Sequence, residues 1–128
     1  MVVTIPVSWG ELFDKLTILE IKKARIDDDQ KLANISRELD ALKKVCSGHQ
    51  LPGKGLQDLV GELRRVNESL WDIEDDIRGC ERDKNFSEQF IELARSVYKT
   101  NDKRAEIKFR INQLLGSELI EEKSYEAY

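Results

Sequence analysis

Very little in this chain would break a helix. Its 128 residues hold two prolines, Pro6 and Pro52, and seven glycines. After Gly10 neither residue type recurs until Gly48. A sandwich or barrel needs turn residues about every 8–12 positions, so an all-β fold is excluded. No stretch approaches the ~20 apolar residues of a membrane span. The apolar start, Met1–Val7, lacks the basic residues and the length of a secretion signal. Cys46 and Cys80 fall on apolar helical positions with no CxxC spacing, which reads as reduced core thiols rather than a disulfide or metal pair. The single histidine, His49, lies in a loop and reads as a solvated turn residue. No Glu-x-x-His pattern for a di-iron centre exists, and no Ser or Cys has a His partner for nucleophilic catalysis. Gly53-Lys54-Gly55 is too short for a phosphate loop. An excess of positive charge is missing too. The net charge is −4, with Lys and Arg interspersed among acids, so there is no electrostatic footprint for nucleic acid or an anionic membrane. These absences predict a cytoplasmic protein without resident metal or cofactor.

What is present is charge and helical periodicity. Hydrophobic residues make up 40% and charged residues 36%, a blend that suits helices with one solvated face. Ser8 and Glu11 have capping-box spacing, with Val7 and Leu12 placed for a hydrophobic staple. Pro6 keeps the residues before it extended. Leu12, Leu16, Leu19 and Ile26 form one apolar stripe, and Leu32, Ile35, Leu39, Leu42 and Cys46 form another. The two are out of phase across Asp27-Asp28-Asp29. That run marks either a stutter in one long helix, the preferred reading, or a cap that starts a second helix. Ser47–Gly55 is the clearest break. Beyond it, Leu56, Leu59, Leu63, Val66, Leu70, Ile73, Ile77 and Cys80 define a helix over about 56–82. After a turn at Asp83-Lys84-Asn85, a further helix carries Phe90, Leu93, Val97, Ile107, Ile111 and Leu114. It stops at Gly116, a left-handed helix-ending residue.

The expected fold is one all-α domain over 1–128, with an extended arm at 1–7 and a tail at 117–128. It is an antiparallel three-helix bundle with a long N-terminal helix, or a four-helix one if residues 27–29 turn. A long first helix would outreach its partners by roughly three turns at ~1.5 Å per residue. Its first half is apolar on more than one side, so an isologous homodimer is the preferred way to cover the excess.

Chemistry has one natural place. Thr100 and Arg104 interrupt an apolar stripe, and core polar residues either specify register or line a site. Folding the last two helices back near 84–85 sets Glu74 near Arg95, Trp71 near Tyr98 and Asn67 near Asp102. Arg25 and Asp28 would approach Arg78 and Glu74. The candidate groove is therefore Asn67, Trp71, Glu74, Arg78, Arg95, Tyr98, Asn101, Asp102 and Arg104. One reading makes it a structural layer of ion pairs. The other makes it a pocket whose arginines grip an anionic small molecule such as a phosphate, carboxylate or sugar-like ligand. Asp27-Asp28-Asp29 and Glu74-Asp75-Asp76 suggest Mg²⁺-assisted pyrophosphate chemistry. The paired ExxE and ExxD spacing of small helical pyrophosphohydrolases is missing, however; Glu11-Leu12-Phe13-Asp14 matches one half alone. Small helical chorismate mutases are suggested by Glu62-Leu63-Arg64-Arg65, without their further cationic pattern.

Several strings go beyond generic helix. They are Gly10-Glu11-Leu12 leading into Asp14-Lys15-Leu16-Thr17-Ile18-Leu19-Glu20-Ile21-Lys22, Leu70-Trp71-Asp72-Ile73-Glu74-Asp75, Ala94-Arg95-Ser96-Val97-Tyr98 with Asn101-Asp102 and Arg104-Ala105, and Glu121-Glu122-Lys123-Ser124-Tyr125. Together they make the whole chain resemble a bacterial family of small all-helical proteins, a domain of unknown function. The resemblance implies a standalone domain and carries no activity with it. Two functions from different classes follow from the residues. The first is a non-catalytic helical binding or assembly protein acting as a homodimer. The second is a small enzyme or ligand-binding protein for a phosphorylated or nucleotide-linked metabolite.

Overall fold

The computed structural model covers residues 1–128 and contains four helices with no strand. They are α1 (Trp9–Arg25), α2 (Asp29–Ser47), α3 (Lys54–Arg82) and α4 (Glu88–Leu115). Ser8 starts α1 as read from the sequence: its Oγ accepts from the Glu11 amide at 3.2 Å. The reciprocal half of the box is not made, because the Glu11 carboxylate turns to Lys108 instead. Val7 also stays exposed rather than stapling Leu12.

The long first helix is replaced by two helices. Ile26 takes an extended backbone (φ −94°, ψ 135°) and ends α1. Asp28 then caps α2, accepting from the Lys31 amide at 2.9 Å. The out-of-phase stripes need no stutter, since a chain that reverses between them aims both at one core. Leu12, Leu16, Leu19, Ile35 and Leu39 are buried together with Leu56, Leu59, Leu63, Ile107 and Ile111. The chain thus takes the four-helix alternative.

Helix α1 lies at the centre and packs against the other three, whereas α2 comes close only to α1. The ion pairs fix directions. Lys15–Glu38 sets α2 antiparallel to α1, Glu11–Lys108 and Asp14–Arg104 set α4 antiparallel to it, and Glu20–Arg64 with Arg25–Asp72 set α3 parallel. Arg110 and Glu62, 3.6 Å apart, fix the register of the α3–α4 hairpin. Since Arg25 ends α1 beside Asp72, the last ten or so residues of α3 and the start of α4 run on past it, a reach of ~15 Å. Along this overhang only Cys80 is fully buried. Phe86 and Ile91 are 52% and 47% exposed. Gly116 ends α4 in the left-handed region (φ 64°), and the segment after it runs back along α4 without regular structure.

Candidate functional site

The α1–α4 contact is built on a glycine. A Cβ at Gly10 would lie 2.5 Å from the Lys108 carbonyl oxygen and 3.0 Å from Asn112 Oδ1, so only glycine allows this approach. The Gly10 amide donates to Asn112 Oδ1 at 2.6 Å. The Trp9 amide donates to Ser117 Oγ at 3.0 Å, and that hydroxyl donates to Asn112 Oδ1 at 3.2 Å. Two amides of the first turn, which a helix leaves without internal partners, are thereby satisfied from α4 and the residue beyond its end.

One turn further along α1, Asp14 is 1% exposed. A bare carboxylate there would be costly. It is surrounded by donors. Arg104 grips it in a fork, Nε donating to Oδ1 at 2.9 Å and a terminal nitrogen to Oδ2. Asn67 Nδ2 donates to Oδ1 at 3.0 Å and also to Thr17 Oγ1 at 3.0 Å. Lys108 Nζ stands 3.8 Å from Oδ2. Thr17 Oγ1 in turn donates to the Asp14 carbonyl at 2.9 Å. Burial pushes the Asp14 carboxyl up, but the hydrogen bonds from Arg104 and Asn67 and the charges of Arg104 and Lys108 outweigh it. The group is held below its ordinary value of 3.8. No buried polar side-chain atom is left without a partner. Asp14 is thus ionised and saturated, which makes this cluster a clamp of α1, α3 and α4 rather than a proton donor or acceptor.

Lys108 carries the clamp outward. Its ammonium lies 2.8 Å from Glu11 and 2.9 Å from Glu121 on the C-terminal segment. Burial lowers the Lys108 pKa, but these two carboxylates and Asp14 raise it above 10.5 on balance. Beside it is a pocket of about 220 Å³ edged by Glu11, Asn101, Arg104, Lys108, Glu121 and Lys123. A larger cleft of about 870 Å³ follows along α4, between Val97, Tyr98, Asn101 and Asp102 on the helix and Tyr125 and Tyr128 on the segment. Tyr128 closes its far end. The Tyr128 hydroxyl donates to Asp102 Oδ2 at 2.8 Å and its ring meets Tyr98 edge-on at 5.1 Å.

The residues predicted to share one groove fall into five places. Asn67 and Arg104 meet on Asp14, and Asn101 lies against Arg104, accepting at 3.4 Å. Tyr98 and Asp102 hold Tyr128. Trp71 carries the Arg25 guanidinium 5.8 Å above its ring, at the end of α1. Arg78 pairs with Glu74 at 3.2 Å and Arg95 with Glu92 at 3.2 Å, each within its own helix and in solvent. Glu74 and Arg95 are therefore committed elsewhere than to each other. Arg25 takes Asp72 rather than Glu74. No three of the His, Cys, Asp and Glu side chains are grouped to hold a metal ion, so Asp27-Asp28-Asp29 and Glu74-Asp75-Asp76 do not combine. His49 is exposed but sets its ring against Trp9, 5.0 Å edge to face. Cys46 and Cys80 are free thiols, and burial raises the former's pKa.

Sequence reasoning missed Asp14, Thr17, Lys108 and Asn112. Each is a polar residue flanked by apolar ones in helical phase, the same signal that singled out Arg104. In α1 it was hidden because apolar residues surround the helix. No helix is long and apolar enough to cross a membrane.

These features define an all-helical protein whose central helix is pinned by a buried ionic clamp and whose C-terminal segment is strapped onto α4. The chain belongs to a family of unknown function, DUF6165, whose model matches residues 2–128. No curated protein and no solved structure matches it.

Proposed function

We propose that this protein is a non-catalytic helical binding and assembly protein that works as a homodimer. The observation that carries the reading is the α3–α4 overhang. Ile73, Ile77, Phe90 and Leu93 are only half-buried there, because α1 ends at Arg25 beside Asp72 and leaves this stretch of the hairpin without a third helix. Phe86 and Ile91 add exposed apolar surface at the tip. A two-stranded helical hairpin is the natural half of a four-helix bundle. A second copy laid antiparallel along it buries the same face on both subunits, the isologous arrangement that C2 symmetry requires. The saturated state of Asp14 supports a non-catalytic role, since a general acid or base needs a free position toward its substrate. The arginines counted for a phosphate-gripping groove are spread over separate ion pairs, so they lend no joint support to a nucleotide enzyme.

Light scattering at micromolar concentration is the test. The expected mass is twice that of the chain, falling to a single chain in Ile91→Glu or Leu93→Glu with the helix content by circular dichroism retained. A monomeric mass for the unaltered protein at 100 μM, a concentration of roughly the order at which weak dimers still form, sinks the proposal.

A further inference from the structure

We propose that the small pocket beside Lys108 binds the carboxylate or phosphate group of a small molecule, and that Glu121 occupies that place as a tethered stand-in. Glu121 is held by one ammonium on each oxygen: Lys108 Nζ stands 2.9 Å from Oε2 and Lys123 Nζ stands 3.6 Å from Oε1. The two sides of this contact differ in kind. Lys108 is 9% exposed at its side chain and fixed by Glu11 and Asp14 of α1. Glu121 is 46% exposed and sits on a segment with no helix or strand of its own. The receptor is rigid and the carboxylate is on a strap.

The charges point the same way. Arg104, Lys108 and Lys123 face Glu11, Asp14 and Glu121, three cations against three carboxylates. Removing the Glu121 carboxylate while Lys123 stays at the rim leaves one positive charge in surplus beside a nearly buried ammonium, which calls for one oxyanion in its place. Asn101 turns its oxygen to Arg104, which leaves its amide nitrogen as a further donor at the rim. The pocket's 220 Å³ falls below the ~300 Å³ at which drug-sized sites begin, so the occupant is small. None of this depends on self-association, because Glu11, Arg104, Lys108 and Glu121 all lie outside the overhang.

The experiment uses the full chain and its Glu121→Gln variant, a change at an exposed position that leaves the core intact. Succinate, inorganic phosphate and sodium chloride at matched ionic strength are titrated into each by calorimetry. A tethered carboxylate competes at an effective concentration in the millimolar range, so E121Q is expected to bind one of the two oxyanions at least about tenfold tighter than the unaltered chain. Chloride should produce no such gain. Preference for succinate assigns the site to carboxylates, preference for phosphate to phosphoryl groups. Adding Lys123→Ala to E121Q should weaken binding again. In the unaltered chain the winning oxyanion should shift the amide resonances of Glu121 and its immediate neighbours in nitrogen-15 spectra as the carboxylate leaves Lys108. The inference is overturned if neither oxyanion outperforms chloride in E121Q, or if the gain survives Lys123→Ala unchanged.

Discussion

Asp14 and Arg104 stand 90 positions apart and meet side-on, both carboxylate oxygens on the one edge of the guanidinium formed by Nε and a terminal nitrogen, with the carboxylate 2% exposed and the guanidinium 30%. The pair is lopsided: the anion is inside and the cation reaches it from the surface. Removing Arg104 therefore strands a buried charge, whereas removing the charge of Asp14 frees an arginine that water can solvate.

The two changes should differ accordingly. Arg104→Ala is expected to cost about 2–4 kcal/mol, in the range for breaking a buried pair from one side. Asp14→Asn should cost less, since it keeps the shape and leaves no buried anion. Urea denaturation measures both. Equal losses would mean that the guanidinium is valued for packing alone.

Acid should act through the same carboxylate. The native pKa of Asp14 lies below 3.8, its ordinary value. Its contribution is therefore complete above that value and disappears as the pH falls through the native pKa. Glu121, held down chiefly by its hydrogen bond from Lys108, adds a smaller part in the same direction. Stability measured from pH 6 to pH 2.5 should fall more steeply for the unaltered chain than for D14N, and parallel curves would remove Asp14 from the account. At the alkaline end, Lys108 is raised above 10.5, so its share is whole below that value and is lost as the pH climbs past the native pKa.

Gly10 and Gly61 make a paired test of helix contact. Alanine is favoured over glycine inside a helix by about 1 kcal/mol. At Gly61 the nearest atom to a new Cβ is the flexible end of Arg65 at 3.6 Å, so Gly61→Ala should stabilise by roughly 0.5–1 kcal/mol. At Gly10 the obstacle is backbone, the Lys108 carbonyl at 2.5 Å. Overpacking of about 1–3 kcal/mol then outweighs the helix gain, and Gly10→Ala should destabilise. The opposite signs, read by thermal melting, are the prediction. A stabilised G10A would mean that α1 and α4 part easily.

The break after α1 rests on a cap. Asp28→Ala removes the side-chain acceptor of the Lys31 amide and should cost about 1 kcal/mol. Asp27→Ala and Asp29→Ala should cost little, since neither side chain accepts from a helix amide. Chemical denaturation of the three variants ranks them, and a flat ranking would place the start of α2 elsewhere.

Those three aspartates also mark where the sequence ceases to be legible. Ser8 as the first cap, the buried stripe Leu56, Leu59 and Leu63, and the left-handed stop at Gly116 are local, decided within a turn or two of chain, and they stand as read. Whether Asp27-Asp28-Asp29 bends a helix or ends it depends on what the second stripe packs against, and that is a tertiary fact. The groove was legible in part for the same reason. Arg104 could be picked out as a polar intruder in an apolar stripe, and Asn67 through the hairpin register, but their common partner Asp14 lies in α1, where Leu12, Phe13 and Leu16 made every face look oily. A hairpin register could relate α3 to α4. It could say nothing of the helix that lies across both.

That distance along the chain has a cost during synthesis. Asp14 leaves the ribosome 90 residues before its arginine. At ~5–20 residues per second, the carboxylate waits several seconds or more before its counter-charge can reach it. Ser117, which closes the first turn of α1 from 108 residues away, comes later still. The central helix of the finished protein is thus among the last to be locked in place, and a chain cut short within α4 leaves the clamp on Asp14 and the first turn of α1 incomplete.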